Sequence, residues 1–328
     1  MTEIIDGFMR EQLLDRRHKL EHAVTVEPNH AASLHSLLDE VDSALARMDT
    51  GSFGICELCH EPVEADRLIA DPLVRFCLGH LNEAERDALQ RDLELAAQVQ
   101  KALLPAPDLK CCGWHISYHY EPVGIVSGDY CDVVDSPDTG FYFMVGDVSG
   151  KGVAASMLMA HLHAMFRTLI SVGVPLKKML AHASRVFCES TLPTQYATLV
   201  CGRAEPNGRV EICNAGHPPP LLVRHDNVIE VEASGLPVGL FCGEEFSVSE
   251  FRLESCQSML IYSDGVSEAA DSSGALYGAD RLRTLLTRNC AMGPAELINA
   301  CRDDLKHFCN GAQRTDDATL LVLARAAA

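Results

Sequence analysis

Aspartates placed at the ends of apolar runs constrain this fold more than any other feature of the chain. FYFMV (Phe141 to Val145) runs into Gly146 and Asp147, and SMLIY (Ser258 to Tyr262) runs into Ser263 and Asp264. Asp316 and Asp317 open the run ATLLVL, and Asp129 and Asp132 sit in SGDYCD. Short apolar runs bounded by turn-forming residues read as buried strands. Carboxylates at their ends can then converge on one rim of a sheet while the apolar residues stay behind them.

YATLVCGRA, RVEICNAG and PPLLVR add further strand-like runs, and Asn207-Gly208 between two of them is a hairpin signal. Helical spacing marks Val153 to Ile170, Leu176 to Glu189, Ala279 to Arg288 and Ala295 to Phe308. Strands and helices arrive in blocks rather than strict alternation. The expected class is therefore α+β with antiparallel sheets.

The first 50 residues read as helices, with Leu34, Leu37, Leu38, Val41, Ala44 and Leu45 at helical spacing. Residues 51–80 change to a Gly- and Pro-punctuated segment rich in Cys and His. A second helix is expected over residues 81–105, with Leu89, Leu93, Ala96, Val99 or Gln100, and Leu103 roughly on one stripe, ending at Pro105. Such a stripe serves core packing or a partner helix; its sharper reading is a short coiled-coil homodimer. Residues 106–328 form the remaining domain.

Cys56-x2-Cys59, seventeen residues, then Cys77-x2-His80 supplies two close pairs of N/S ligands. Zn2+ takes four such ligands tetrahedrally, and a closed shell leaves no place for a reacting water, so the expected role is structural. His60 is a weaker alternative ligand. The carboxylate set is different chemistry: several oxygen ligands without nearby His or Cys suit Mg2+ or Mn2+ rather than zinc.

The 328 residues carry a formal net charge of −19, which weighs against nonspecific binding to nucleic acid or anionic membrane. The apolar stretch Gly152 to Leu176 contains His161, His163 and Arg167 and reads as a buried helix rather than a membrane span. The N-terminus lacks a basic-then-apolar signal pattern. With 14 cysteines, this points to a reducing cytoplasm in which the thiols are ligands or core residues. No Cys-x5-Arg run is present, and GDVSGKG departs from a Walker A loop in its spacing and in Gly152 after the lysine.

The segment GSFGICELCHEPVEADRLIADPLVRFCLGH resembles the DksA/TraR zinc finger through Gly54, Cys56, Cys59, Pro62, Arg67, Leu68, Ala70, Pro72 and Cys77. It departs at His80, where that family has cysteine. The four aspartate motifs, with NAGHPPPLL, SGLPVGLF and the preceding LELAAQVQKALLP helix, resemble PPM-type phosphatases of the bacterial SpoIIE/RsbU-like branch. That resemblance implies a β-sandwich flanked by helices. It implies that Asp147 bridges two metal ions, that the Val148 carbonyl helps hold one, that Asp129 lies on the second ion's side, and that Asp264 and Asp316 complete the other. Asp132 and Asp317 are alternates better read as loop-ordering groups, and His217 likewise reads as a loop-ordering residue rather than a general acid. Ser127, Cys131 and Lys151 depart from common family residues without removing a ligand.

The implied activity is hydrolysis of phosphoserine or phosphothreonine on a regulatory protein, expected to be a STAS-like anti-sigma-factor antagonist. The competing reading is a transcription-associated binding protein that uses its finger, with the phosphatase domain as scaffold.

Overall fold

The computed structural model describes residues 9–10, 13–14, 16–18, 20–21, 31–64, 68, 71–80, 83–136, 139–192, 194–224, 227–243 and 245–326. Leu81, Asn82, Arg67, Ala70 and much of the expected helix before residue 31 lie outside the described residues. The chain divides into two compact units, Met1–Arg91 and Asp92–Ala328.

In the first unit, helix α1 (Ala31–Asp49) buries Val41, Ala44 and Leu45 against Leu13, with Leu20, Met48, Phe53 and Leu73 packed alongside. Leu37, at the start of the expected stripe, is exposed. Among the described residues, the fully buried part of that stripe is its C-terminal half. The guanidinium of Arg47 donates to the carbonyls of Val74 (3.0 Å) and Leu73 (3.2 Å), tying α1 to the Cys-rich segment. Helix α2 (Glu83–Leu103) follows, and the division between units falls within it.

The second unit contains two antiparallel sheets. One has six strands in the order β1-β2-β11-β10-β7-β8 and the other five in the order β3-β4-β5-β6-β9. Their ranges are β1 Asp108–Cys111, β2 Trp114–Glu121, β3 Asp129–Ser136, β4 Gly140–Val148, β5 Ala197–Ala204, β6 Arg209–Ala215, β7 Leu221–Arg224, β8 Asn227–Glu230, β9 Ser249–Arg252, β10 Ser258–Tyr262 and β11 Ala318–Arg325.

Strand side chains alternate between faces, and here both faces are covered, which explains the unbroken apolar runs. In β4, Phe141, Phe143 and Val145 enter the core between the sheets with Met259 and Ile261 of β10 and Leu321 and Leu323 of β11. Tyr142 and Met144 point the other way, onto helices α3 (Gly152–Ser171) and α4 (Leu176–Ser190), meeting Met159, Phe166, Met179 and Phe187. Leu260, Leu320 and Val322 pack outward with α6 (Ala279–Arg288) and α7 (Pro294–Cys309), which follow a single-turn α5 (Asp264–Ser267). The expected sandwich flanked by helices is the observed fold.

α3 is long and apolar enough by composition to cross a membrane, yet one face, including Ala155, Met159, Leu162 and Phe166, is buried in the unit. The β5–β6 hairpin forms at the expected Asn207-Gly208 pair, as a wider turn: the Gly208 N–H donates to Glu205 O at 3.0 Å, and Gly208 has φ 90°.

The cysteines depart from expectation in two places. Cys256 is exposed, so it is neither core nor ligand. Cys188 and Cys242 are joined as a disulfide with their Cα atoms 5.4 Å apart. Both were expected as thiols; the contact between α4 and a distant loop supplies the partner that spacing cannot reveal.

Candidate metal centres

The strand alternation that fills the core also delivers the acidic site. Cys131 and Val133 of β3 face inward, so Asp129, two residues earlier, points the same way at the strand end. Asp147 follows Val145 in the same parity, and Asp129 and Asp147 are register partners across β3 and β4. From the facing sheet, Ser263 and Thr319 both reach Asp129 Oδ2: Ser263 Oγ donates at 2.9 Å and Thr319 Oγ1 at 2.5 Å. Asp129 is thereby fixed at the inner end of the sandwich.

Asp264 opens α5 directly after β10, rather than ending a strand. Gly265 beside it has no room for a Cβ, which would collide with the Asp317 carbonyl. That close approach holds the Asp264 turn against the Asp316–Asp317 backbone. A Cβ built on Gly128 would lie 3.1 Å from the Val148 carbonyl oxygen and 3.3 Å from Asp147 Oδ1, so these two oxygens share one side of the rim. Asp316 Oδ2 receives Lys151 Nζ at 2.8 Å. Among the described residues, no three of these carboxylates lie within 4.8 Å of one another.

Electrostatics show what the cluster lacks. Burial, then repulsion from Asp129, Asp264, Asp316 and Asp317, pushes Asp147 up to about 8. Burial raises Asp129 to about 7 even though the Thr319 and Ser263 hydroxyls favour its charged form. Asp264 is raised by burial and by Asp316. Buried carboxylates that repel one another favour a bound cation or a proton. A set of hard oxygen donors fits Mg2+ or Mn2+.

The alternates separate cleanly. Asp132 has outward parity and is fully buried beneath α3, where it accepts two hydrogen bonds from Arg167 at 2.8 and 2.7 Å, with His163 Nε2 at 3.5 Å. Asp317 orders the approach loop: its carboxylate accepts from Val123 N (2.7 Å), Ser127 Oγ (2.7 Å) and Gly128 N (3.1 Å). His217 is buried with Nδ1 2.9 Å from Thr198 Oγ1, and burial lowers it to about 3, so the ring is neutral.

Two site-shaping residues carried no clear sequence signal. Ser127 passes the order of Asp317 to the ligand strand, because its Oγ also accepts from Asp129 N at 3.0 Å. Gln100 on α2, one of two candidates for a stripe position, is buried. Its Nε2 donates to Ser127 O at 2.7 Å and its Oε1 accepts from Ser127 N at 3.0 Å. Truncation leaves both backbone groups buried without partners, at about 1–3 kcal/mol each. We expect Gln100→Ala to raise the Mn2+ concentration for half-saturation of the acidic rim about tenfold, the equivalent of ~1.4 kcal/mol. An unchanged manganese titration would remove Gln100 from the positioning of the site.

In the first unit, Cys56, Cys59, Cys77 and His80 bring four ligand atoms within 4.8 Å of one another. Cys59 Sγ lies 3.8 Å from Cys77 Sγ, and His80 Nδ1 lies 3.9 Å from Cys56 Sγ and 3.2 Å from Cys77 Sγ. A tetrahedral ion with bonds of about 2.3 Å to sulfur separates its thiolates by about 3.8 Å. His60 is absent from the group. Burial raises the Cys56 thiol, but hydrogen bonds with the Cys59, Cys77 and Leu58 backbone outweigh it and bring it down to about 6, close to the thiolate a metal requires.

Comparisons with known proteins match both parts of the chain. Residues 137–326 match the family model for stage II sporulation protein E (SpoIIE). Residues 51–79 match the prokaryotic dksA/traR C4-type zinc finger, a match that stops one residue short of His80. The chain is 26% identical to protein IcfG of Synechocystis sp. over 73% of its own length and 42% of that protein. It is 25% identical to phosphoserine phosphatase RsbU of Bacillus subtilis over 72% of its length and 71% of RsbU. The chain thus spans less than half of the length of IcfG. The solved RsbU and RsbW domains of Rv1364c from Mycobacterium tuberculosis superpose with a TM-score of 0.57 at 28% identity, covering 66% of this chain and 60% of that one. Together with the two-sheet architecture and the aspartate rim, these matches show that the chain belongs to the SpoIIE family, carrying a PP2C-type phosphatase domain and a dksA/traR-type finger.

Proposed function

We propose that the second unit hydrolyses phosphoserine or phosphothreonine on a regulatory protein, with Asp129, Asp147, Asp264, Asp316 and the Val148 carbonyl holding two Mn2+ or Mg2+ ions. The observation that carries this is the approach of carboxylates from two facing sheets to one half-buried rim, where Asp147 is pushed up to about 8. Two such ions supply an activated water and neutralise charge on the phosphoryl group. The chain's own residues fix the geometry. Ser263 and Thr319 hold Asp129 by its Oδ2, Gly265 lets the Asp264 turn approach Asp316, and Asp317 with Ser127 and Gln100 orders the loop before β3. Lys151 is the cation paired with Asp316.

RsbU is a phosphoserine phosphatase by name, and the substrate proposed here is likewise a phosphorylated STAS-like anti-sigma-factor antagonist in the cytoplasm. We assign one structural Zn2+ to Cys56, Cys59, Cys77 and His80. Leu95 and Val99 are exposed one turn apart on α2, which supports a homodimer through this helix; sedimentation as a monomer with and without it would remove that part of the reading. The test of function is phosphate release from phosphorylated antagonists of the same genome and from a phosphoserine peptide, with and without Mn2+. Manganese-dependent turnover is expected. Release from the peptide but from none of the antagonists would overturn the substrate assignment.

A further inference from the structure

We propose that Cys188 and Cys242 form a redox-controlled site: a disulfide that pins the loop beside the acidic rim and that a dithiol reductant opens. The functional consequence rests on the phosphatase reading above; the covalent switch does not.

The position of this bond is the argument. Ala197 at the start of β5 pairs with Val148 on one side and bridges to Val238 on the other, through hydrogen bonds of 2.9 and 2.8 Å. Val238 therefore lies two strand spacings, about 10 Å, from the Val148 backbone that adjoins Asp147. The same edge is tied again where Ser149 N donates to Tyr196 O at 2.9 Å.

The loop beyond Val238 is fastened to one face of α4. Gly239 N donates to Ser184 Oγ at 3.1 Å, and Cys242 bonds to Cys188, four residues further along the same helix face. Gly239 approaches Phe187 so closely that a Cβ there would collide with the ring. Leu240 and Phe241 between these anchors are exposed. They form an exposed apolar edge on this loop, which under the proposal a polypeptide substrate contacts and an aryl phosphate does not.

Chemistry favours reversibility. Cys242 is exposed and Cys188 half-buried, so a reductant can reach the bond. Disulfides that occur in reducing compartments are mostly transient and redox-sensing. Opening takes two exchanges. One thiolate of the dithiol attacks a sulfur of the Cys188–Cys242 bond, releasing the other cysteine as thiolate and leaving a mixed disulfide. The second thiolate of the reductant then releases the remaining cysteine. The reductant leaves as its own disulfide, having supplied two electrons, and the freed cysteines take up protons.

The experiment uses the full chain purified without reductant, with free thiols blocked before proteolysis, and compares it with C188S/C242S before and after dithiothreitol. A linked Cys188–Cys242 peptide that disappears on reduction is expected. Reduction should lower the melting temperature of the phosphatase unit by roughly 5–10 °C and speed hydrogen exchange at Ala197 and Val238. It should lower kcat/KM for a phosphoserine peptide about threefold or more while p-nitrophenyl phosphate turnover stays within about twofold. The double variant should match the reduced wild type and ignore dithiothreitol, which separates this bond from any effect on the finger thiols. Absence of the linked peptide, or an equal response of variant and wild type, overturns the proposal. If neither phosphate ester is turned over in any state, the phosphatase reading fails while peptide mapping, melting and exchange still decide the switch.

Discussion

Asp147→Asn is expected to reduce manganese-dependent phosphate release from a phosphoserine peptide and p-nitrophenyl phosphate on the order of 10³-fold, about 4 kcal/mol of barrier. Asp147 shares its rim with Asp129, Asp264, Asp316 and Asp317, each of which raises it by repulsion. It is thus the carboxylate most central to the charge the site must balance. An asparagine keeps the shape and one oxygen but removes the charge that the proposed two-metal assignment uses to hold a cation. Turnover in the variant within about tenfold of wild type would sink the two-metal assignment.

The same substitution should stabilise the protein when Mn2+ and Mg2+ are withheld. A carboxylate near 4 in the unfolded chain and about 8 in the folded one binds its proton more tightly when folded. Its cost to stability is absent below about pH 4, grows as pH rises between the two values, and is complete above pH 8. With allowance for solvent screening at this half-buried group, Asp147→Asn should gain about 1–3 kcal/mol at pH 8 and nothing at pH 4. Denaturant melts at the two pH values check this. Equal gains at both would mean that charge relief is not the cause.

The second large effect lies in the first unit. Wild type should carry about one equivalent of zinc, and Cys56→Ser should lose it together with the fold of the finger, since structural zinc supplies about 10–16 kcal/mol in small domains. Among the described residues, the local core of Leu13, Val41, Ala44 and Leu45 with its few neighbours is too small to compensate. Zinc analysis and limited proteolysis across residues 51–80 measure both consequences. Full zinc content in the variant would instead implicate His60 or another donor. Phosphatase activity that survives zinc loss would mark the finger as a folding staple rather than an input.

Sheet content was legible because both faces of β4, β10 and β11 are buried, which leaves apolar runs that no exposed segment would carry. Among the strands that were not named are β1, β8 and β9. They are four-residue segments with exposed or half-buried positions, so no periodic signal exists to find. The finger was legible because two ligand pairs declare themselves in local spacing. The expected stripe on α1 was half right, since burial of Val41, Ala44 and Leu45 but not Leu37 depends on what packs there.

The sequence by itself determined local chemistry: buried strands ending in aspartate, paired Cys and His ligands, and the resemblance that those motifs carry together. Tertiary structure alone decided which aspartates face inward. Asp129 and Asp132 differ by three residues and hence by parity, so one reaches Ser263 and Thr319 while the other is held under α3 by Arg167. It also decided the partners of Gln100, Lys151 and Cys188, at Ser127, Asp316 and Cys242. The sheet order places β2 beside β11 and β10 beside β7, bringing together residues separated by up to 213 positions. Contacts of that range are set by how whole sheets and helices bury their faces, and no local pattern encodes them.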